Sequence, residues 1–306
     1  MTLAILCSGQ GGQHPGMFDL TAELPPAQTV FAAARPLLGA DPRDLARAGG
    51  AALNENRAGQ ILCCVAALAA WTIVSESAPG RRIVAGYSIG DLAAWGCAGR
   101  FSVETVLGLA AARAEAMDAA SGSGHGLAGI RGLAEARISA LASARGCHVA
   151  IRNAPDSVVV GGRVDALEAV CGEALAAGAQ RAVMLPVRTP SHTPLLADAA
   201  LRFGETLRAA RQETPPRTGP RLVGGLDGAA VFDAGAGLDK LARQIAQTID
   251  WAACLDTCRE YGATTVLELG PGHALATMAG SAIPDARVRA LADFRTAAGV
   301  TEWLAG

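Results

Sequence analysis

Residues 82–101, RIVAGYSIGDLAAWGCAGRF, constrain this chain more than any other stretch. An apolar run, Ile83-Val84-Ala85, meets Gly86-Tyr87-Ser88-Ile89-Gly90, and a helix-like segment follows. G-x-S-x-G between a strand and a helix is the pattern of a nucleophile elbow. So sharp a turn lifts Ser88 Oγ out of the sheet edge, and the flanking glycines leave room where a Cβ would collide. The helix that begins after Ser88 aims free N–H groups at any oxyanion formed there. The plain alternative is a strand–turn–helix crossover with an incidental serine, so the rest of a catalytic site has to be found elsewhere in the chain.

At 306 residues the chain has room for one large α/β domain, alone or with a small insert. Apolar residues make up 51% and aromatics only 4%, so the core must be built from Ala, Leu, Val and Ile. Lys240 is the one lysine, a composition bias with no functional content. A net charge of −2 argues against a nucleic-acid partner. None of the eight cysteines forms a C-x-x-C pair and most lie in apolar runs, which suits reduced core residues of a cytoplasmic protein. Cys254 and Cys258 share a helix face, but no neighbouring His or Cys pair completes a zinc site, so no metal is expected. No membrane span is expected, and the opening MTLAILC lacks a basic n-region and reads as a first buried strand.

That first strand, 2–7, ends in the loop Ser8-Gly9-Gln10-Gly11-Gly12-Gln13. Its glycines allow close backbone approach, but no Gly-Lys-Ser/Thr follows, which disfavours a phosphate loop. A helix is predicted over 18–38, polar irregular chain over 41–57, and an all-round apolar, hence buried, helix over 58–75 with Gln60 facing inward. A helix over 103–119 carries Arg113 among Ala, Leu and Met, either snorkelling to the surface or partnering a buried anion. Residues 121–126, SGSGHG, read as a flexible linker with a solvated His125. From 127 to 186 the order is β-α-β-β-α-β, a ferredoxin-like unit. The expected division is a main domain of 1–123 and 188–306 with an inserted subdomain of 124–187. Downstream, a helix is predicted over 195–211, a strand and turn over 221–232, a helix over 238–249, a strand over 265–269, a helix from His273 and a last strand near 288–291.

A serine nucleophile needs a base within hydrogen-bond reach. Of His14, His125, His148, His192 and His273, only His192 sits in a rigid loop of the main domain downstream of Ser88, between Pro190 and Pro194. Asp250 is a candidate to orient that histidine, through its carboxylate or its backbone carbonyl, and equally a candidate cap for the helix starting near Trp251.

Gly9-Gln10-Gly11-Gly12-Gln13 with Gly16-Met17, Gly86-Tyr87-Ser88-Ile89-Gly90-Asp91, Arg113, Pro190-Ser191-His192 and Glu268-Leu269-Gly270-Pro271-Gly272 together resemble the malonyl-CoA:acyl-carrier-protein transacylase family in order and spacing, over nearly the whole chain. The resemblance implies an α/β-hydrolase-like main domain with a parallel sheet and an inserted ferredoxin-like (βαββαβ) subdomain. It implies ping-pong malonyl transfer, with Ser88 carrying the acyl group and His192 as base and acid. Backbone N–H groups of Gln13 and Ile89 would bind the oxyanion, and Arg113 would hold the malonyl carboxylate. A backbone carbonyl at Asp250 would orient His192, and Gln60 and Asn153 would line the pocket. No cofactor is implied beyond malonyl-CoA as substrate and a carrier-borne thiol as acceptor.

Tyr87 and Asp91 stand where members of fatty-acid synthesis commonly carry His and Glu. GYSIGDLAAWGCAG is more similar to the epsilon subunit of malonate decarboxylase, whose carrier bears phosphoribosyl-dephospho-CoA and whose other subunits would then be partners. The alternative is a transacylase of fatty-acid or polyketide synthesis, loading phosphopantetheine. A serine thioesterase or esterase is more remote, having no need of Arg113, as is a non-catalytic carrier-docking subunit. An acidic carrier would dock on basic surface, for which Arg181 and Arg188 are two candidates.

Overall fold

A computed structural model describes residues 1–78 and 80–306. Its strands are β1 (Thr2–Cys7), β2 (Arg81–Gly86), β3 (His125–Arg131), β4 (His148–Ala154), β5 (Ser157–Arg163), β6 (Arg181–Met184), β7 (Arg221–Leu222), β8 (Ile249–Asp250), β9 (Thr265–Leu269) and β10 (Arg287–Ala290). Five form a parallel sheet in the order β10-β9-β1-β2-β7. Cys7 pairs with Gly86 on one side and Leu269 on the other, so β1, β2 and β9 end level. Three loops therefore leave the sheet at one edge: the Gly loop after β1, the turn at Ser88 and the Gly270-Pro271-Gly272 turn. Ligands of open α/β sheets bind at such carboxyl ends.

Helix Asn56–Ser77 is buried on almost every side and packs against the helices Gln28–Leu38, Ile89–Cys97 and Val103–Ser121. It is long and apolar enough to cross a membrane, against the expectation of no such segment, but most of it is buried in the core. All eight cysteines are free and buried, as their apolar surroundings predict.

The second sheet has the order β6-β3-β5-β4-β8. Numbered along the chain, its first four strands lie 4-1-3-2 and antiparallel, with helices Glu135–Ala144 and Val164–Ala176 packed on them around Ile138, Val158, Val160 and Leu167. The β-α-β-β-α-β reading holds. The fifth strand does not come from 124–187: β8 pairs parallel with β4 and ties this sheet to the chain just after Gln244.

Four local expectations need correction. The helix predicted over 18–38 begins only at Gln28, because Pro25 and Pro26 disfavour helix in the residues before them. Within 41–57, Asp41 caps a helix at Pro42–Ala48, its side chain accepting from Arg43 N at 2.9 Å. The helix placed at 238–249 runs from Ala234 to Arg243, capped by Asp233. His125 opens β3, with Nδ1 buried, rather than sitting in solvent.

Candidate active site

Ser88 follows β2 at φ 57° and ψ −119° and starts the helix Ile89–Cys97. Gly86 and Gly90 make the turn possible. A Cβ on Gly86 would fall 2.1 Å from Gly90 O, and one on Gly90 would fall 2.1 Å from Cys7 O. His192, buried at φ 64°, is anchored by its own N–H donating to Ile245 O at 2.8 Å. Its Nε2 lies 2.7 Å from Ser88 Oγ and its Nδ1 2.5 Å from Gln244 O. A carbonyl only accepts, so Nδ1 carries the hydrogen and Nε2 offers its lone pair to the Ser88 hydroxyl. Burial, and then the nearby Arg113 charge, push the imidazole down to about 3, with the Gln244 carbonyl opposing. The histidine is therefore neutral and ready to take a proton.

The residue that orients His192 is Gln244, not Asp250. Asp250 caps the helix Trp251–Glu260, its carboxylate accepting from Ala253 N at 3.0 Å, while the chain from Gln244 to Ile245 passes His192. A backbone acceptor leaves no side-chain signature, so nothing in the sequence separates Gln244 from Asp250 as its source.

Arg113 is buried, 1% exposed, so the snorkelling alternative falls. Nη1 donates to Gln60 Oε1 at 2.7 Å, and Gln60 Nε2 donates to Asn56 Oδ1 at 2.7 Å. Nη2 is buried with no partner, and no carboxylate pairs with Arg113 among the described residues. Burial lowers its pKa only to about 10, so the guanidinium stays charged. Cys64 and Asp91 lie within its field, and so does His192.

Ile89 N–H heads its helix and has no intrahelical acceptor. The Gln13 side chain is tied down locally: Nε2 donates to Leu53 O at 3.0 Å, and Oε1 accepts from Gly11 N at 2.5 Å. The part of the loop that approaches Ser88 is Gly9, where a Cβ would come 3.5 Å from Ser88 Cβ and 2.8 Å from Tyr87 O. Gln10 is the residue that follows Gly9, and nothing in the sequence marks it apart from Gln13. Asn153 lines a cavity of about 490 Å³ with Gly9, Gln10, Tyr87 and Pro271. Glu268 is structural: Oε1 accepts from Ser8 Oγ at 2.7 Å and Oε2 from Ala276 N at 2.8 Å, which ties the Gly loop to the start of the helix Ala274–Ala282.

A parallel α/β sheet that presents a serine–histidine pair at its carboxyl edge defines a class of protein built for acyl chemistry on a serine. The chain is 32% identical over 281 residues to the malonyl CoA-acyl carrier protein transacylase of Salmonella typhimurium, covering 89% of this chain and 90% of that protein, and 31% identical over 286 residues to that of Mycobacterium bovis, covering 90% and 92%. The chain belongs to the malonyl CoA-acyl carrier protein transacylase family. Among solved structures it is similar to an acyl-carrier-protein S-malonyltransferase from Burkholderia pseudomallei, with TM-score 0.89, 30% identity and coverage of 99% and 100%. It is also similar to a malonyl-transacylase solved in complex with its type II PKS acyl-carrier protein, with TM-score 0.91, 27% identity and coverage of 99% of both chains. No family model matches the chain.

Proposed function

We propose that this chain moves a malonyl group from malonyl-CoA to the phosphopantetheine thiol of an acyl carrier protein, through a malonyl ester on Ser88. The observation that carries this reading is Arg113, a buried guanidinium with Nη1 fixed by Gln60 and Nη2 unpartnered. Guanidinium matches a carboxylate in charge and in its two-pronged geometry. A serine hydrolase of neutral acyl groups has no use for it.

His192 Nε2 takes the Ser88 proton as Oγ attacks the thioester carbonyl carbon. The oxyanion is held by the N–H groups of Ile89 and Gln10, each worth about 3 kcal/mol by the measure of comparable donors. Collapse breaks the C–S bond, and CoA leaves as the thiol with the proton from Nε2. The carrier thiol then gives its proton to Nε2, attacks the ester carbon, and releases Ser88 with that proton restored. Mass spectrometry after mixing with malonyl-CoA tests the reading. A malonyl adduct is expected on Ser88 and absent from Ser88→Ala; an adduct that survives in the variant overturns it.

The relatives described above are transacylases, and they favour an acyl carrier protein over the malonate decarboxylase carrier. The residues behind the decarboxylase reading say little about a carrier. Tyr87 stacks edge-on to buried Trp251, with ring centroids 5.3 Å apart, and Asp91 is 1% exposed. Asp91 answers to interior packing, and Tyr87 packs on Trp251 while lining the cavity beside Gly9 and Gln10. Malonyl transfer to each carrier in parallel decides the partner.

A further inference from the structure

Behind His192 lies a buried acid–amide contact that the chemistry above does not use. Asp91 and Gln244 are 1% and 0% exposed. Gln244 Nε2 donates to Asp91 Oδ2 at 2.9 Å, and Gly225 N–H donates to the same oxygen at 2.9 Å. The other oxygen of each group, Asp91 Oδ1 and Gln244 Oε1, is buried without a partner. Carboxyl and carboxamide are both planar two-atom forks, already joined through one prong each. If Asp91 were ionised, the remaining prongs would be two acceptors with no hydrogen between them, beside a buried charge. Each buried orphan costs about 1–3 kcal/mol. One proton on Oδ1 removes both orphans and the charge together.

We propose that Asp91 is a neutral carboxylic acid, closed on the Gln244 carboxamide by a second hydrogen bond from Oδ1–H to Oε1, and that this pair is the positioning device that holds the Gln244 carbonyl against His192 Nδ1. The inference rests on the reading of Ser88 and His192 as the acylating pair. Burial pushes the Asp91 carboxyl up to about 7. The titratable groups facing it are Cys7 from β1, Arg113 from helix Val103–Ser121, Asp227 from the turn after Gly225 and Cys254 from helix Trp251–Glu260. Arg113 favours the ion and Asp227 opposes it; the thiols of Cys7 and Cys254 are held neutral by burial, with the Cys97 contact the larger cause at Cys7. A neutral Asp91 also leaves the Arg113 charge to the substrate carboxylate, where an ion would compete for it.

Asp91→Asn tests the proposal, because an amide reproduces the donor and acceptor of the neutral acid and cannot ionise. Asp91→Ala removes both. In the infrared difference spectrum of wild type minus Asp91→Asn at about pH 6, a protonated carboxylic C=O band is expected. In Ser88 acylation by malonyl-CoA, Asp91→Ala should lower kcat about 10–100-fold with KM within about twofold, as a tilted base does. Asp91→Asn should recover to within about threefold of wild type. Wild type should lose rate above about pH 7 as the acid ionises, while Asp91→Asn stays level. No protonated band, or an asparagine variant as slow as the alanine one, overturns the proposal. If wild type forms no malonyl-Ser88 at all, the proposed function fails and the infrared band judges the pair by itself.

Discussion

Ser88 and His192 are joined at 2.7 Å, and they are also the two non-glycine residues with positive φ among the described residues, at 57° and 64°. Both residues sit where an L side chain is strained, and each such residue costs about 1–3 kcal/mol that the surrounding packing must offset. At Ser88 the offset is visible in the glycine contacts of the turn and in the helix that starts there. Ser88→Gly and Ser88→Ala both lack Oγ, but only glycine relieves the backbone. Ser88→Gly should therefore be the more stable of the two by about 1 kcal/mol in urea denaturation. Equal midpoints would mean that the turn stores no strain.

Arg113→Ala removes a buried charge that no carboxylate pairs among the described residues. Leaving a buried carboxylate unpaired costs about 3–5 kcal/mol, so malonyl transfer should fall by at least about 100-fold while acetyl transfer is kept or rises. Parallel assays with malonyl-CoA and acetyl-CoA measure the ratio. Gln60→Ala should move it in the same direction but less, since Gln60 fixes Nη1 and its loss leaves the guanidinium charge in place. An unchanged ratio in Arg113→Ala would remove the basis for malonyl selectivity.

The elbow, β1 and β9 were legible because each couples a short apolar run to a glycine turn, and both the run and the turn have strong local causes. The β-α-β-β-α-β order was legible for the same reason. Gln244 was not, because its role belongs to a carbonyl that every residue possesses, presented by a helix that ends at Arg243. Position alone could not decide Arg113, since an arginine among alanines suits a surface as well as a core until the packing of helix Val103–Ser121 on Asn56–Ser77 is known. Gln10 and Gln13 lie three residues apart in one loop, and only the close approach of Gly9 to Ser88 separates them. The role of Asp91 is not legible locally, because its surroundings, Gly225 and Gln244, are more than 130 residues away in sequence.

Glu268 joins the Gly loop to the helix Ala274–Ala282 with one carboxylate, through Ser8 Oγ and Ala276 N. Burial pushes its pKa up, with both hydrogen bonds opposing. Glu268→Ala should destabilise the fold by about 2–3 kcal/mol, mostly through the donors left unpaired. The Gly loop should loosen with it, so acylation should slow even where the protein remains folded. Thermal denaturation and a single-turnover assay on the same sample check the two effects. A variant that acylates at the wild-type rate would show that Ser8 needs no tie to hold Gln10 beside the nucleophile.

His192 is lowered to about 3 from an ordinary 6.5, by burial first and by Arg113 second. Its neutral form is the one the fold favours. The stability it contributes is present above the unfolded value of 6.5 and is lost as pH falls toward 3. In kinetics, kcat/KM reports the free enzyme, so His192 should impose no loss of acylation down to about pH 4. The bound complex differs, because a malonyl carboxylate on Arg113 offsets the charge that disfavours the imidazolium. His192 should become more basic in the malonyl complex than in an acetyl complex, where Arg113 stays uncompensated. The acid limb of single-turnover kcat should then lie at higher pH for malonyl-CoA than for acetyl-CoA. Its plateau should be faster as well, since a stronger base meets the Ser88 proton. Selectivity would then reside in the chemical step as well as in binding, and coincident acid limbs for the two substrates would exclude that coupling.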